Sequence, residues 1–437
     1  MNPYPKYKDS GVEWIGDIPI DWTTIPIKRL SPVKRGASPR PIADPKYFDD
    51  NGEYAWVRIA DVSASNRYLE NTTQQLSEIG SSLSVKQFPG DLFLSIAGTV
   101  GKPIITKIKC CIHDGFVYFP NLKVDPEYLY YVFSTGEPYK GLGKWGTQLN
   151  LNTETVGYIP ISLPPYEHEI SRIVKFLDEK TAQIDDLISK KQKIIALLKE
   201  ERAAIINQAV TKGINPDAPM KDSGIEWLGE IPVHWEVKRL KYVAKTVQTG
   251  TTPSSLNPEY FIDGEIDWFI PVDFGDSLFL SNSNRKLNRL AIDDNVVRLY
   301  ESNTVLLVGI GATLGKVGIV KRTASSNQQI NAISFKDDYN PNFGAYYFQA
   351  ISDIVVSMSN AATLPILNQT QTKEIMAPVP PQKEQDEIVG FINQITTKID
   401  QTISKIKKQI ELLKEFRTAL ISEVVTGKID VRDEGPK

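Results

Sequence analysis

Cysteine, histidine and long apolar runs are all scarce in this chain of 437 residues, and each shortage removes a class of protein. The two cysteines, Cys110 and Cys111, are adjacent, so they cannot build a disulfide framework, and nothing near them has zinc-ligand spacing. They read as reduced thiols in a partly buried strand. The three histidines, His113, His168 and His234, are scattered, so no metal cluster is visible. No run of 18 apolar residues occurs, which argues against a transmembrane helix. The opening MNPYPKYKDSGVEW lacks the apolar core of a secretory signal. A cytoplasmic protein without a membrane partner is expected. Excess positive charge is missing too: 50 Lys and Arg against 53 Asp and Glu leave a net charge of −3. The whole chain is therefore not a basic nucleic-acid binder, and any such role needs locally segregated charge.

What the chain does have is repetition. Residues 8–22 read KDSGVEWIGDIPIDW and residues 221–235 read KDSGIEWLGEIPVHW, with ten of fifteen positions identical. A second repeat is longer. Residues 164–214 and 380–429 each open on Pro-Pro, carry charge in the first turn and continue as an amphipathic helix. In the second, Ile392, Ile399, Ile406, Leu413 and Leu420 recur every seven residues. In the first, the matching positions are Leu177, Ile184, Lys191, Leu198 and Ile205, with only Lys191 polar. A second row (Ile188, Ile195, Ile403, Ile410) widens the stripe. Heptads of this length predict a coiled coil. Matching seams in one chain predict that the helices pair with each other; the alternative is that each packs alone on its own domain. About 42–45 residues per helix correspond to about 60–65 Å at 1.5 Å rise.

Between these elements lie segments 23–163 and 236–379, rich in Gly, Pro, Asn, Thr and aromatics. Runs such as YAWVRIADV (54–62), DLFLSIAG (91–98) and NTVLLVGIGA (303–312) read as strands between turns. GTVGK (98–102) lines up with ATLGK (312–316), and RGASP (35–39) with TGTTP (249–253), both at an offset of 214. The expected fold class is α+β: two globular α/β domains separated by a long antiparallel two-helix coiled coil, in an internal pseudo-two-fold repeat. The expected boundaries are 1–163 (phrase and first domain), 164–220 (first long helix and linker), 221–379 (phrase and second domain) and 380–437 (second long helix and tail). With antiparallel helices, the end of each lies near an opening phrase. Trp14, Trp22, Trp227 and Trp235 then act as apolar pegs seating each domain, not as base-stacking groups.

The phrase continuing as KDSGIEWLGEIPVHWEVKRLK (221–241), the long helices entered through LPP (163–165) and VPP (379–381), and the two glycine-lysine loops resemble the specificity subunit of type I restriction-modification systems. The resemblance covers essentially the whole chain. It implies two target recognition domains, each reading one half of a bipartite double-stranded DNA site, with the helices as spacer. It also implies a non-catalytic subunit that docks two modification subunits. Those carry S-adenosylmethionine and methylate adenine; restriction subunits add ATP- and Mg-dependent cleavage. This chain is expected to bind none of these cofactors itself.

Three kinds of segment resemble catalytic motifs, and each departs from its motif. LPPY (163–166) resembles the adenine methyltransferase signature but has Leu163 where an Asp or Asn must accept from the adenine amino group. It recurs as VPPQ (379–382) before the second helix, as a helix start would. GKP (101–103) and GKV (315–317) lack the first P-loop glycine, with Ile96 and Ile310 in its place, and the following Ser or Thr. Asp178-Glu179-Lys180 mimics a nuclease triplet but sits mid-helix. No catalytic residue and no metal ligand is expected.

Candidate DNA contacts come from local charge. Residues 28–40 hold Lys28, Arg29, Lys34, Arg35 and Arg40 with no acid; residues 238–245 hold Lys238, Arg239, Lys241 and Lys245 with no acid. Such clusters neutralise phosphates, although a solvated basic face looks the same. Lys102 and Lys316 follow glycine turns that suit close approach to a phosphate, or are turns between buried strands. Asn327, Gln328 and Gln329, with Asn331, offer side chains able to pair adenine in the major groove, as any polar loop would. Tyr47, Trp145 and Trp268 are further aromatic candidates. The competing readings are a coiled-coil adaptor that binds only proteins and a stand-alone DNA methyltransferase.

Overall fold

Each half of the chain builds a five-stranded sheet, a smaller sheet and two two-stranded ribbons, and the halves build them in the same order. The computed structural model describes residues 2–142, 151–254, 257–275, 277–359 and 365–432. Two units form: Met1–Lys191 with Lys407–Lys437, and Gln192–Ile406. In the first, a five-stranded sheet runs Lys34–Arg35, Phe116–Tyr118, Leu92–Ser95, Pro103–Thr106, Tyr68–Leu69. In the second the order is Ala244–Thr249, Ile330–Phe335, Val305–Val308, Val317–Val320, Phe279–Leu280. The first four strands of each are antiparallel and the edge strand is parallel. A smaller sheet accompanies each, with Tyr54–Val57 parallel to Cys110–Ile112 in one and Ile266–Phe269 parallel to Ala324–Ser326 in the other. Strand Leu92–Ser95 and strand Val305–Val308 are buried throughout, as continuous apolar runs demand. Cys110 and Cys111 are free and fully enclosed, and burial pushes their thiols up to about 12 and about 11.

The long helices are Glu167–Lys212 and Gln382–Val425, of 46 and 44 residues. They pack together antiparallel. Asp185 meets Arg417 and Lys191 donates to Gln409 Oε1 at 2.7 Å in the first unit, while Arg202 meets Asp400 in the second. The two ion pairs are images of one another, since Asp185 and Asp400, and Arg202 and Arg417, are each 215 positions apart. Lys191, the one polar seam position, is thus used as a cross-helix donor.

The seam is buried unevenly. Leu177, Ile392 and Leu420 are enclosed, and Ile184 and Ile399 nearly so. Leu198, Ile205, Ile406 and Leu413 are only half-buried. Two helices cannot surround a side chain by themselves, so burial is complete only where a globular domain covers the seam. Tyr131 donates to Asp178 Oδ1 and Tyr346 to Asn393 Oδ1, both at 2.6 Å, joining each domain to a long helix at equivalent places.

The repeated phrase is a joint, made by the second tryptophan in each copy. Trp22 is buried and donates to Glu169 Oε1 at 3.2 Å, near the start of the first long helix. A Cβ on Gly427, just past the end of the second helix, would meet Pro19 and Trp22. Lys428 also donates to the carbonyls of Ile15 and Asp17. In the other unit Trp235 is fully buried, lies 3.4 Å from where a Cβ on Gly213 would stand, and is flanked by the His234–Glu384 pair at 2.7 Å. Trp14 and Trp227, expected as pegs too, are only half-buried. Trp227 still packs against the core around Trp235, with its ring 6.3 Å from that of Tyr347.

Candidate nucleic-acid interface

The glycine of each aligned RGASP/TGTTP motif lets two loops touch. A Cβ on Gly36 would fall 2.2 Å from the carbonyl oxygen of His113, and one on Gly250 would fall 2.2 Å from that of Asn327. The surrounding backbone bonds repeat at the same offset. Gly36 N–H donates to Phe116 at 2.9 Å and Gly250 N–H to Ile330 at 3.0 Å; Ala37 donates to Ile112 at 3.1 Å and Thr251 to Ser326 at 2.9 Å. Each domain therefore carries an equivalent tip, formed by residues 35–40 with 113–115 in one and by 249–254 with 327–329 in the other. Aromatic side chains brace both tips. Tyr47 donates to the Arg40 carbonyl at 2.8 Å, and Trp268 Nε1 to the Thr251 carbonyl at 3.1 Å. Both aromatics are buried, so they support the tips from beneath. Trp145 lies outside the described residues.

The first tip is arginine-rich. Arg35 donates to the Asp114 carbonyl at 2.5 Å, and Arg40 reaches Asp114 Oδ2 at 3.2 Å with its side chain 76% exposed. Burial works against the Asp114 carboxylate, but the Ser38 hydrogen bond, its own backbone and the two arginines hold it below the usual range. Partial burial pushes His113 down, and the charges of Arg35 and Arg58 add to this. Lys34 and Arg29 are exposed alongside, and Lys28 stands 3.4 Å over the ring of Tyr158.

The second domain puts its positive charge in a cleft. Lys241, Lys245, Arg298 and Lys373 line an open cavity of about 800 Å³ together with Gln248 and Gln369. Arg298 is anchored by its bond to the Thr249 carbonyl at 2.7 Å, at the foot of the tip. Lys241 and the neighbouring cations Lys238 and Arg239 are partly spent on acids. Lys238 pairs with Glu236, while Arg239 and Lys241 share Glu374. Lys241, then Arg239, holds that carboxylate low.

Several sequence candidates have different work in the fold. Lys102 donates to the carbonyls of Ser63 (3.1 Å) and Ser65 (2.6 Å), and Lys316 to that of Phe274 (2.9 Å). Both tie loops together; Lys102 is half-buried and Lys316 stays exposed. Asn327 and Gln329 bond one another at 2.8 Å, and Asn331 is buried between Leu367 and Thr372. Of these amides Gln328 is the exposed one. Arg58, Arg298, Lys373 and Asp114 were missed by charge-run reading because each is alone in its stretch of sequence. For Asp114 a signal existed: it stands 214 positions before Gln328, the offset of both aligned motifs. Among the described residues no group of three or more His, Cys, Asp or Glu side chains is placed to hold a metal ion. No helix among them is long and apolar enough to cross a membrane.

One antiparallel helix pair and two domains whose five-stranded sheets share one strand order, with unlike side chains at equivalent tips, define a duplicated scaffold for two different readers. The chain belongs to the family described as the type I restriction modification DNA specificity domain, whose model matches residues 19–197 and again 232–412. Among its relatives, the type I restriction enzyme MjaIX specificity subunit of Methanocaldococcus jannaschii is 26% identical over 96% of each chain. The EcoDI specificity subunit of Escherichia coli is 21% identical over 96% of this chain and 92% of its own. Two solved structures share the fold. One comes from a study of complex assembly and conformational transition of the type I R-M system (TM-score 0.71, 16% identity, 94% of this chain and 99% of that one). The other is the HsdS subunit from Thermoanaerobacter tengcongensis (TM-score 0.52, 16% identity, 94% and 98%). The protein's role is DNA sequence recognition, as the non-catalytic component of a type I restriction-modification system.

Proposed function

We propose that each globular domain reads one half of a bipartite site in double-stranded DNA, that the helix pair sets the spacer, and that two modification subunits dock on this chain. The observation that carries the reading is the pair of equivalent tips with unlike side chains, Asp114 with Arg40 in one domain and Gln328 in the other. S-adenosylmethionine, ATP and Mg belong to the modification and restriction subunits, and the assembly works in the cytoplasm. Co-expression with a modification subunit in a host lacking its own, followed by base-resolution mapping of N6-methyladenine, tests it. A new bipartite methylated motif that disappears without this chain is expected; an assembled complex that methylates nothing would favour a protein-only adaptor.

Lys245, Arg298 and Lys373 act on phosphates in this reading, together with Lys34 and Arg35 in the first domain. Neutralising Lys245, Arg298 and Lys373 together should weaken DNA binding of the complex on all sequences alike. The slope of log K against log salt should fall by roughly 2–3, at about 0.9 per phosphate contact. Relaxed preference at a single base pair would instead make one of them a base reader. The spacer has its own test. Half-sites about one turn apart lie roughly 34 Å centre to centre, and inserting one heptad in both long helices should lengthen the tolerated spacer. An unchanged spacer would refute the ruler.

A further inference from the structure

We infer that position 114 in the first domain and position 328 in the second are equivalent base-reading positions, and that Ser38 and Thr252 are the residues that position them. The inference rests on the reading that each domain contacts one half of the DNA site. Its evidence is a side-chain bond that repeats where the sequences do not. Ser38 Oγ donates to Asp114 Oδ1 at 3.0 Å, and Thr252 Oγ1 donates to Gln328 Oε1. Donors and acceptors are both 214 positions apart. The backbone beneath is the same in both domains, down to the glycine that admits the loop carbonyl and the turn bond from Phe116 to His113 (3.1 Å) or Ile330 to Asn327 (3.2 Å). A hydroxyl that fixes an exposed side-chain oxygen at the summit of a rigid turn has no core to support. What it does is hold one acceptor in a set direction, which removes rotamer freedom before a ligand arrives.

The two summits differ in what they offer. Asp114 is a carboxylate, able only to accept, with the exposed guanidinium of Arg40 beside it. That pair matches a C·G base pair: the carboxylate accepts from cytosine N4 and the guanidinium donates to guanine O6 and N7. Gln328 has an acceptor held by Thr252 and an amide group that can donate, which matches adenine N6 and N7. One scaffold thus presents an acid and an amide at the same point, and the two half-sites differ there.

The experiment is N6-methyladenine mapping in the co-expressed complex with Asp114→Asn and, separately, Gln328→Glu. Both changes keep size and the bond to the hydroxyl, and thermal melting of each variant checks that folding is intact. Asp114→Asn should move preference from cytosine toward adenine at one base pair of one half-site, and Gln328→Glu should do the reverse in the other. Methylation of the original motif should fall roughly ten- to a hundred-fold in each case, the range for loss of one bidentate contact. Thr252→Val should relax the same base pair as Gln328→Glu, while Thr252→Ser restores it. If Asp114→Asn, Gln328→Glu and a further Gln328→Ala variant all methylate the original motif at full rate, the inference is overturned. A loss equal on all sequences overturns it too, by making these sites phosphate contacts. If the unaltered chain directs no bipartite methylation, it is the reading of the whole chain that fails.

Discussion

Replacing Trp235 with alanine is expected to cost about 3–5 kcal/mol, the range for truncating a fully buried large aromatic. The side chain is wholly enclosed, in a cluster with Val210, Ile231, Phe343 and Ile388 that draws on the end of one long helix, the start of the other and the second domain. Its ring meets Phe343 edge-on at 6.4 Å. At about 2–4 °C per kcal/mol for a unit of this size, melting should fall by roughly 6–20 °C. The mapped methylation motif should not change. A shifted second half-site with unaltered melting would make Trp235 a reader and not a peg. Substitution by phenylalanine separates the two copies of the joint. Among the described residues the Trp235 indole N–H has no partner, whereas that of Trp22 donates to Glu169. Both Trp→Phe changes leave a void, but Trp22→Phe should cost more, because it also loses a charge-assisted hydrogen bond on the order of 1.5–3 kcal/mol. Trp227→Ala, at a half-buried position, should cost less than Trp235→Ala.

Loss of the Arg67 side chain should cost about 2–4 kcal/mol. Its guanidinium, 16% exposed, bridges Glu127 of helix Pro126–Ser134 and Asp178 of the first long helix. Tyr68, Tyr130 and Tyr131 stand within 5.2 Å of it by their ring centroids. Arg67→Ala leaves two carboxylates facing each other without their cation. Breaking a buried pair costs about 3–5 kcal/mol, and partial exposure of Asp178 lowers the figure. The second half of the chain shows how the same contact works without charge. The positions equivalent to Glu127 and Asp178 are Asn342 and Asn393, and Tyr346 donates to Asn393 as Tyr131 does to Asp178. Combining Arg67→Leu with Glu127→Asn and Asp178→Asn should therefore recover most of the loss in a urea titration. If the triple variant is no more stable than Arg67→Ala, the ion bridge is not what makes the single change costly.

The duplication, the two helices and their pairing were legible in the sequence because each rests on periodicity. A seam every seven residues survives any change of surface, and a repeated Trp-bearing phrase signals a repeated joint. Charge runs were a weaker guide. Lys102 and Lys316 follow glycines, and each donates to a carbonyl supplied by a residue about 40 positions away, a tie that no local pattern announces. Arg239 and Lys241 stand in an acid-free run but meet Glu374, which the chain delivers from the far end of the second domain.

By itself the sequence determined a two-fold scaffold on a heptad-bearing helix pair. Only the tertiary structure decided that the domains share one strand order, that Arg298 and Lys373 join Lys245 in one cleft, and that Asp114 and Gln328 occupy the same summit. Helical period is a local property, written every few residues. Sheet register and the meeting of single side chains depend on loops whose ends are set by distant strands, and so appear only once the chain has closed on itself.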